Sequence, residues 1–203
     1  MVVSGNVDGL KKGWLYLQKI EDSVLLNQDS VALRGSGEFR LETTIEHPEL
    51  FYLYLEKADN NDINDRISFF GEKGQLTINS SWNQFEADAE VSGSKNHEIF
   101  KTYMKMMSDF NMRDLSLAQA VFSEANQLKR DSLENLAERN YVNRYRYLLN
   151  FAMNNAQSYV TPYIAVTDGR EANPVYLDSI YNALPDSVAQ SSYGMALKEM
   201  LAK

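Results

Sequence analysis

Between Asp59 and Asp65 the sequence reads DNNDIND, six Asp or Asn residues around one Ile. Such a run concentrates side-chain oxygens, the donors that a hard cation such as calcium takes. An EF-hand loop needs those oxygens at alternate positions, with Gly sixth and Glu twelfth. Counted from Asn60, Asp62 and Asn64 fit the third and fifth places, but Asp65 falls sixth and Gly71 twelfth. Counted from Asp59, Ile63 falls at a ligand position. Asp59, Asp62 and Asp65 therefore stand only as weak candidates for an irregular calcium site. Asn and Asp also favour turns, because their side chains bond nearby backbone and they tolerate left-handed conformations. The expectation is a solvated connection between two strands, with no metal and no cofactor.

Other reactive groups are sparse. His47 and His97 are the only histidines and there is no cysteine, which removes disulfide, zinc-thiolate, iron–sulfur and thiol chemistry. His47 precedes Pro48 in a turn, and His97 stands where helical spacing begins. No GxSxG, HExxH, P-loop or GxGxxG motif occurs. Glu86, Asp88 and Glu90 alternate along a strand-like run, so they read as a solvated face without the burial that raises a catalytic pKa. Met104, Met106, Met107 and Met112 suit copper(I) or an adaptable groove, but methionine at helical spacing usually packs in a core. The expectation is a protein without catalytic residues.

Aromatic residues beside arginine carry the one binding signal. RNYVNRYRYLLNF sets Tyr141, Tyr145 and Leu149 on one helical face with Arg139, Arg144 and Arg146 nearby, a combination enriched at protein interfaces. It is equally compatible with a helix packed on the sheet whose arginines pair with surrounding acids. Tyr141, Arg144 and Tyr145 are the partner-binding candidates, together with Tyr52 and Tyr54 should their strand face be open. Asp-Ser-aliphatic triplets begin at Asp22, Asp29, Asp131, Asp178 and Asp186. They resemble O-glycan acceptor sites of exported bacterial proteins, and equally the turns and helix starts that Asp and Ser favour.

The elements that must position these residues change character near VSGSKNH, Val91 to His97. Ahead of it, GWLYLQK, EFRLETTI, LFYLYLE, RISFF, QLTIN and FEADAEV are short strand-like runs between turn residues, with apolar and polar side chains alternating in EFRLETTI and FEADAEV. LFYLYLE is apolar on both faces, which predicts a strand covered on both sides. Beyond it, Ile99, Phe100, Tyr103, Met104, Met107 and Phe110 recur at three- and four-residue steps. A longer helical stretch spans roughly Leu115 to Asn155, through Phe122 and Leu128, and NQLKRDS is a polar patch able to interrupt it. SYVTPYIAV predicts a short helix entered or kinked at Pro162, Asn173 and Pro174 predict a capped helix start, and YGMALKEML predicts a closing helix. The fold expected is α+β: an antiparallel β-sandwich or small barrel over residues 1–94, then an α-helical region over residues 95–203 packed on or capping it.

The 203-residue chain carries a net charge of −8, which argues against nucleic acid as a partner. No apolar run approaches the ~20 residues that span a bilayer. MVVSGNVDGL has neither a basic nor an apolar signal region, and Val2 and Val3 already read as a strand. The expectation is that an upstream segment has been removed.

The segments VSGNVDGLKKGWLYLQK, ALRGSGEFRLETTIEHPELFYLYLEK, DRISFFGEKGQLTI and AEVSGS, in that order over residues 2–94, resemble the bacterial family catalogued as domain of unknown function 4369. NPVYLDSIYNALP and YGMALKEML resemble the tails of its stand-alone members. The resemblance implies an exported periplasmic or outer-membrane-associated protein, commonly a lipoprotein, of Gram-negative bacteria. Many members carry this module ahead of a thioredoxin-like domain, but this chain has no CxxC, so redox activity transfers to no residue here. The function expected is a noncatalytic binding or structural module of the cell envelope, partnered by another envelope protein and tied to the membrane only through a removed N-terminal lipid anchor. The alternative is an accessory domain of a thioredoxin-like thiol-disulfide reductase system that lacks the redox domain.

Overall fold

The computed structural model describes residues 1–21, 23–57 and 65–202. They form two compact units, Met1–Phe100 and Lys101–Lys203, so the division falls inside a helix rather than ahead of it. Strands fill the first unit and helices the second, an α+β chain. Among the described residues no helix is long and apolar enough to cross a membrane.

The first unit holds β1 (Val2–Asp8), β2 (Lys12–Glu21), β3 (Val24–Arg34), β4 (Glu38–Glu42), β5 (Glu49–Lys57), β6 (Asp65–Gly71), β7 (Gln75–Ser81) and β8 (Glu90–Ser92). They make two four-stranded sheets, ordered β4-β1-β7-β8 and β3-β2-β5-β6. The architecture is thus a sandwich and not a barrel. Alternation sends Leu15 and Leu17 of β2 and Phe51, Leu53 and Leu55 of β5 inward, where they meet Val3, Leu41, Leu76 and Ile78 of the other sheet in one buried core.

Three sequence expectations need correction here. The sandwich is not wholly antiparallel, because β1 runs parallel to β7 with Gly5 opposite Ile78. That pairing joins segments some seventy residues apart, which local alternation cannot reveal. A Cβ at Gly5 would strike the Ile78 carbonyl, so the close approach requires glycine. FEADAEV is a strand only from Glu90; ahead of it Phe85 is buried alone while Ala87 is exposed, and the Ser80 hydroxyl donates to the Phe85 carbonyl at 2.6 Å. Alanine offers too little apolar surface to hold that run on a sheet. Finally, β5 is not covered throughout on its second face, since Tyr52 and Tyr54 are only half-buried there.

The helices are α1 (Lys95–Ser123), α2 (Gln127–Asn154), α3 (Val160–Thr167), α4 (Pro174–Asn182), α5 (Asp186–Ala189) and α6 (Ser192–Leu201). The start of α1 belongs to the first unit. The Ser94 hydroxyl accepts from the His97 N–H at 3.0 Å, and the Glu72 carboxylate accepts from the Lys95 N–H at 3.0 Å. A carboxylate there suits the positive end of the helix dipole. Phe100 then packs on Phe70 with ring centroids 5.4 Å apart.

In the second unit α1 runs without a break through Leu115, where a separate helix was expected. The interruption lies at residues 124–126, and Asn126 caps α2 by accepting from the Lys129 N–H at 3.1 Å. Antiparallel to α1, α2 brings Phe151 within 5.3 Å of Tyr103 and Tyr147 within 6.0 Å of Phe110, measured between ring centroids. Buried Asn140 of α2 donates to the Phe110 carbonyl at 3.1 Å and to the Asp114 carboxylate at 2.6 Å, which sets the register of the pair. The expected apolar stripe is only partly internal: Met107 is buried, but Met104, Met112, Phe122 and Leu128 are exposed. Pro162 sits in the first turn of α3, where its missing N–H leaves no bond unmade, so no kink is required. Around α2, helices α3, α4, α5 and α6 bury Ala152, Ala165, Ile180, Val188 and Leu197.

Candidate functional site

On α2, four-residue steps place Tyr141, Tyr145, Leu149 and Met153 above one another on a single face. Asn173 starts α4 by accepting from the Val175 N–H at 3.0 Å, and Pro174 occupies its first position. This start aims Tyr176, Ser179 and Ile180 toward the α2 face. Between the two helices lies a groove of about 640 Å³ bounded by these side chains, with Arg146 and Glu171 at its margins.

Ile180 is fully buried and Leu149 half-buried, while Tyr141, Met153 and Tyr176 are exposed. Tyr141 and Tyr145 stack with centroids 6.3 Å apart and planes inclined by 29°. The Tyr145 hydroxyl is shielded from solvent and makes no hydrogen bond among the described residues. Burial, with smaller contributions from Tyr141 and Glu171, pushes its pKa above the usual tyrosine value. The groove thus offers an apolar trough with one neutral hydroxyl that lacks a protein partner. A shielded polar group of this kind favours a ligand that brings an acceptor.

Arg144 faces a different space. A neighbouring cleft of about 320 Å³ is lined by Arg144, Leu148, Thr167, Asp168, Arg170 and Glu171, and shares Tyr141 and Tyr145 with the groove. Behind it the fully buried Tyr103 donates to Asp168 at 2.6 Å. Burial first, and then this bond, raise the Tyr103 pKa, with the Arg144 charge acting the other way. The structure therefore brings Tyr141 and Tyr145 together and sets Arg144 beside the Asp168 cleft. Tyr52 and Tyr54 belong to the other unit, where the Arg66 guanidinium lies 5.6 Å and 5.4 Å from their ring centres.

Met153 continues the four-residue series and was legible in principle. Tyr176 and Glu171 were not, since only the packing of α4 beside α2 makes them neighbours of Tyr145. Of the calcium candidates, Asp65 is ion-paired with Lys57, while Asp59 and Asp62 lie outside the described residues. Among the described residues no group of three His, Asp or Glu side chains is arranged to hold a metal ion. Buried His97 packs against Phe100 at 6.2 Å, Met106 is half-buried, and Glu86, Asp88 and Glu90 are exposed. Ser30, Ser132, Ser179 and Ser187 of the Asp-Ser triplets are exposed, as is Ser23, whose preceding Asp22 is outside the described residues.

Residues 1–100 match the family model described as Domain of unknown function (DUF4369). No curated protein and no solved structure matches the chain.

Proposed function

Residues 1–100 belong to the DUF4369 family, and on that premise we propose that the chain is a noncatalytic binding module of the bacterial cell envelope, the ectodomain of a lipoprotein. Its partner is another envelope protein, and the helical unit supplies the contact. The observation that carries this reading is the α2–α4 groove, with the unbonded Tyr145 hydroxyl in its wall. A groove walled by three turns of one helix and two of another suits an apolar segment whose polar backbone or side chain accepts from that hydroxyl. A tyrosine hydroxyl is already protonated at neutral pH and burial raises its pKa further, so it serves as a donor and not as a base.

The test is photo-crosslinking in intact envelopes, with the reactive side chain at Val142 or Met153 on the groove and at exposed Gln119 as the distant control. One partner is expected from the groove positions and none from Gln119, and Tyr176→Asp should abolish the adduct. The same adduct from all three positions would end this assignment. A captured protein with a CxxC-bearing thioredoxin-like domain would instead favour the accessory role in a redox system.

A further inference from the structure

A second surface lies on the sandwich and owes nothing to the helical groove. Strand alternation puts Lys12, Trp14 and Tyr16 of β2 on the outer face of the β3-β2-β5-β6 sheet, with Tyr52 and Tyr54 of β5 and Arg66 of β6. Trp14 and Tyr16 lie 6.2 Å apart at 21°, and Tyr16 and Tyr54 5.9 Å apart at 26°, so the rings form a near-parallel row. Trp14 is 45% exposed.

Charge is arranged along this row in a way that folding alone does not favour. Lys12 and Arg34 are direct cross-strand partners, both are exposed, and neither has an acidic partner among the described residues. Like charges set opposite each other destabilise a sheet. The acid at this end, Glu56, faces Trp14 across the strands but accepts from the Tyr16 hydroxyl at 2.8 Å. A cleft of about 300 Å³ opens between Lys12, Trp14, Arg34 and Glu56. Farther along, the Arg66 Nε is shielded and makes no hydrogen bond among the described residues.

We infer that this face binds an acidic oligosaccharide, with a uronate carboxylate on Lys12 and Arg34 and the following sugar rings laid on Trp14 and Tyr16. The C–H bonds of a pyranose face carry partial positive charge, which the negative face of an aromatic ring attracts. The ring spacing is comparable to one sugar unit, so successive residues meet successive rings. The two opposed cations are complementary to a carboxylate, whose arrival relieves their repulsion. A neutral glycan would leave that repulsion in place. A nucleic acid would press closely spaced phosphates against a chain of net charge −8.

Calorimetric titration of the whole chain with hexagalacturonate tests this. Binding is expected with Kd at or below about 1 mM. Lys12→Gln with Arg34→Gln, Trp14→Ala, and methyl esterification of the probe should each weaken it at least about tenfold. Thermal unfolding of Lys12→Gln with Arg34→Gln should come no lower than the parent's, since that change removes the cross-strand repulsion, and circular dichroism should show Trp14→Ala folded at the titration temperature. No heat at millimolar probe, equal binding of the methyl ester, or tighter binding of a single-stranded oligonucleotide of equal length would each overturn the inference.

Discussion

Replacing Tyr103 by Phe removes one oxygen from a fully buried ring and leaves its packing on Phe151 and Tyr147 intact. What is lost is the 2.6 Å bond to Asp168. A hydrogen bond to a charged group is worth roughly 1.5–3 kcal/mol. Asp168 is itself exposed, so its carboxylate recovers water once the hydroxyl is gone. The cost at neutral pH should therefore be about 1.5 kcal/mol, the low end of that range.

The pH dependence sharpens the test. Burial and the Asp168 bond raise the folded pKa of Tyr103 above its unfolded value near 10. The stability it contributes is then complete below about pH 10 and declines above it, because the unfolded chain releases a proton that the folded chain keeps. With the hydroxyl still protonated in the fold, the loss follows RT ln(1 + 10^(pH − 10)), or about 1.4 kcal/mol at pH 11. Tyr103→Phe lacks this penalty. Urea unfolding followed by helical ellipticity should show the parent ahead by about 1.5 kcal/mol at pH 8 and level with the variant near pH 11. Other tyrosines with raised values cancel in the comparison. A gap that stays constant from pH 8 to pH 11 would refute the account of Tyr103, and no gap at pH 8 would refute the bond.

Asn140→Ala should lower helical stability by about 2 kcal/mol in the same urea assay, because it cuts the bonds to the Phe110 carbonyl and the Asp114 carboxylate. Asn140→Asp should cost more at pH 7 by setting two carboxylates side by side, and its deficit should shrink as pH falls. Gly5→Ala, which drives a methyl group into the Ile78 carbonyl, should destabilise the sandwich by at least about 3 kcal/mol. Amide exchange in β1 and β7 should report that loss while α3 and α6 keep their protection.

Much of this molecule could be read from side-chain spacing. Leu15 and Leu17, then Phe51, Leu53 and Leu55, mark inward strand faces at two-residue steps, and Tyr141, Tyr145 and Leu149 mark a helix face at four-residue steps. Asn173 and Pro174 announced a helix start for equally local reasons, since a cap needs only its own next turn. The order of sheet followed by helices rests on these short-range patterns.

Pairing between distant segments was decided only in three dimensions. The parallel β1–β7 ladder and the exposure of Phe122 and Leu128 depend on what lies beside each segment, whereas the break at residues 124–126 falls at the edge of the polar NQLKRDS patch. The groove is of the same kind. Periodicity brought Tyr141 and Tyr145 together, but a trough needs a second wall, and Tyr176 became that wall only when α4 packed beside α2. Hydrophobic spacing specifies which side of an element is buried; the neighbour that buries it, and the space left between them, emerge from how the whole chain closes.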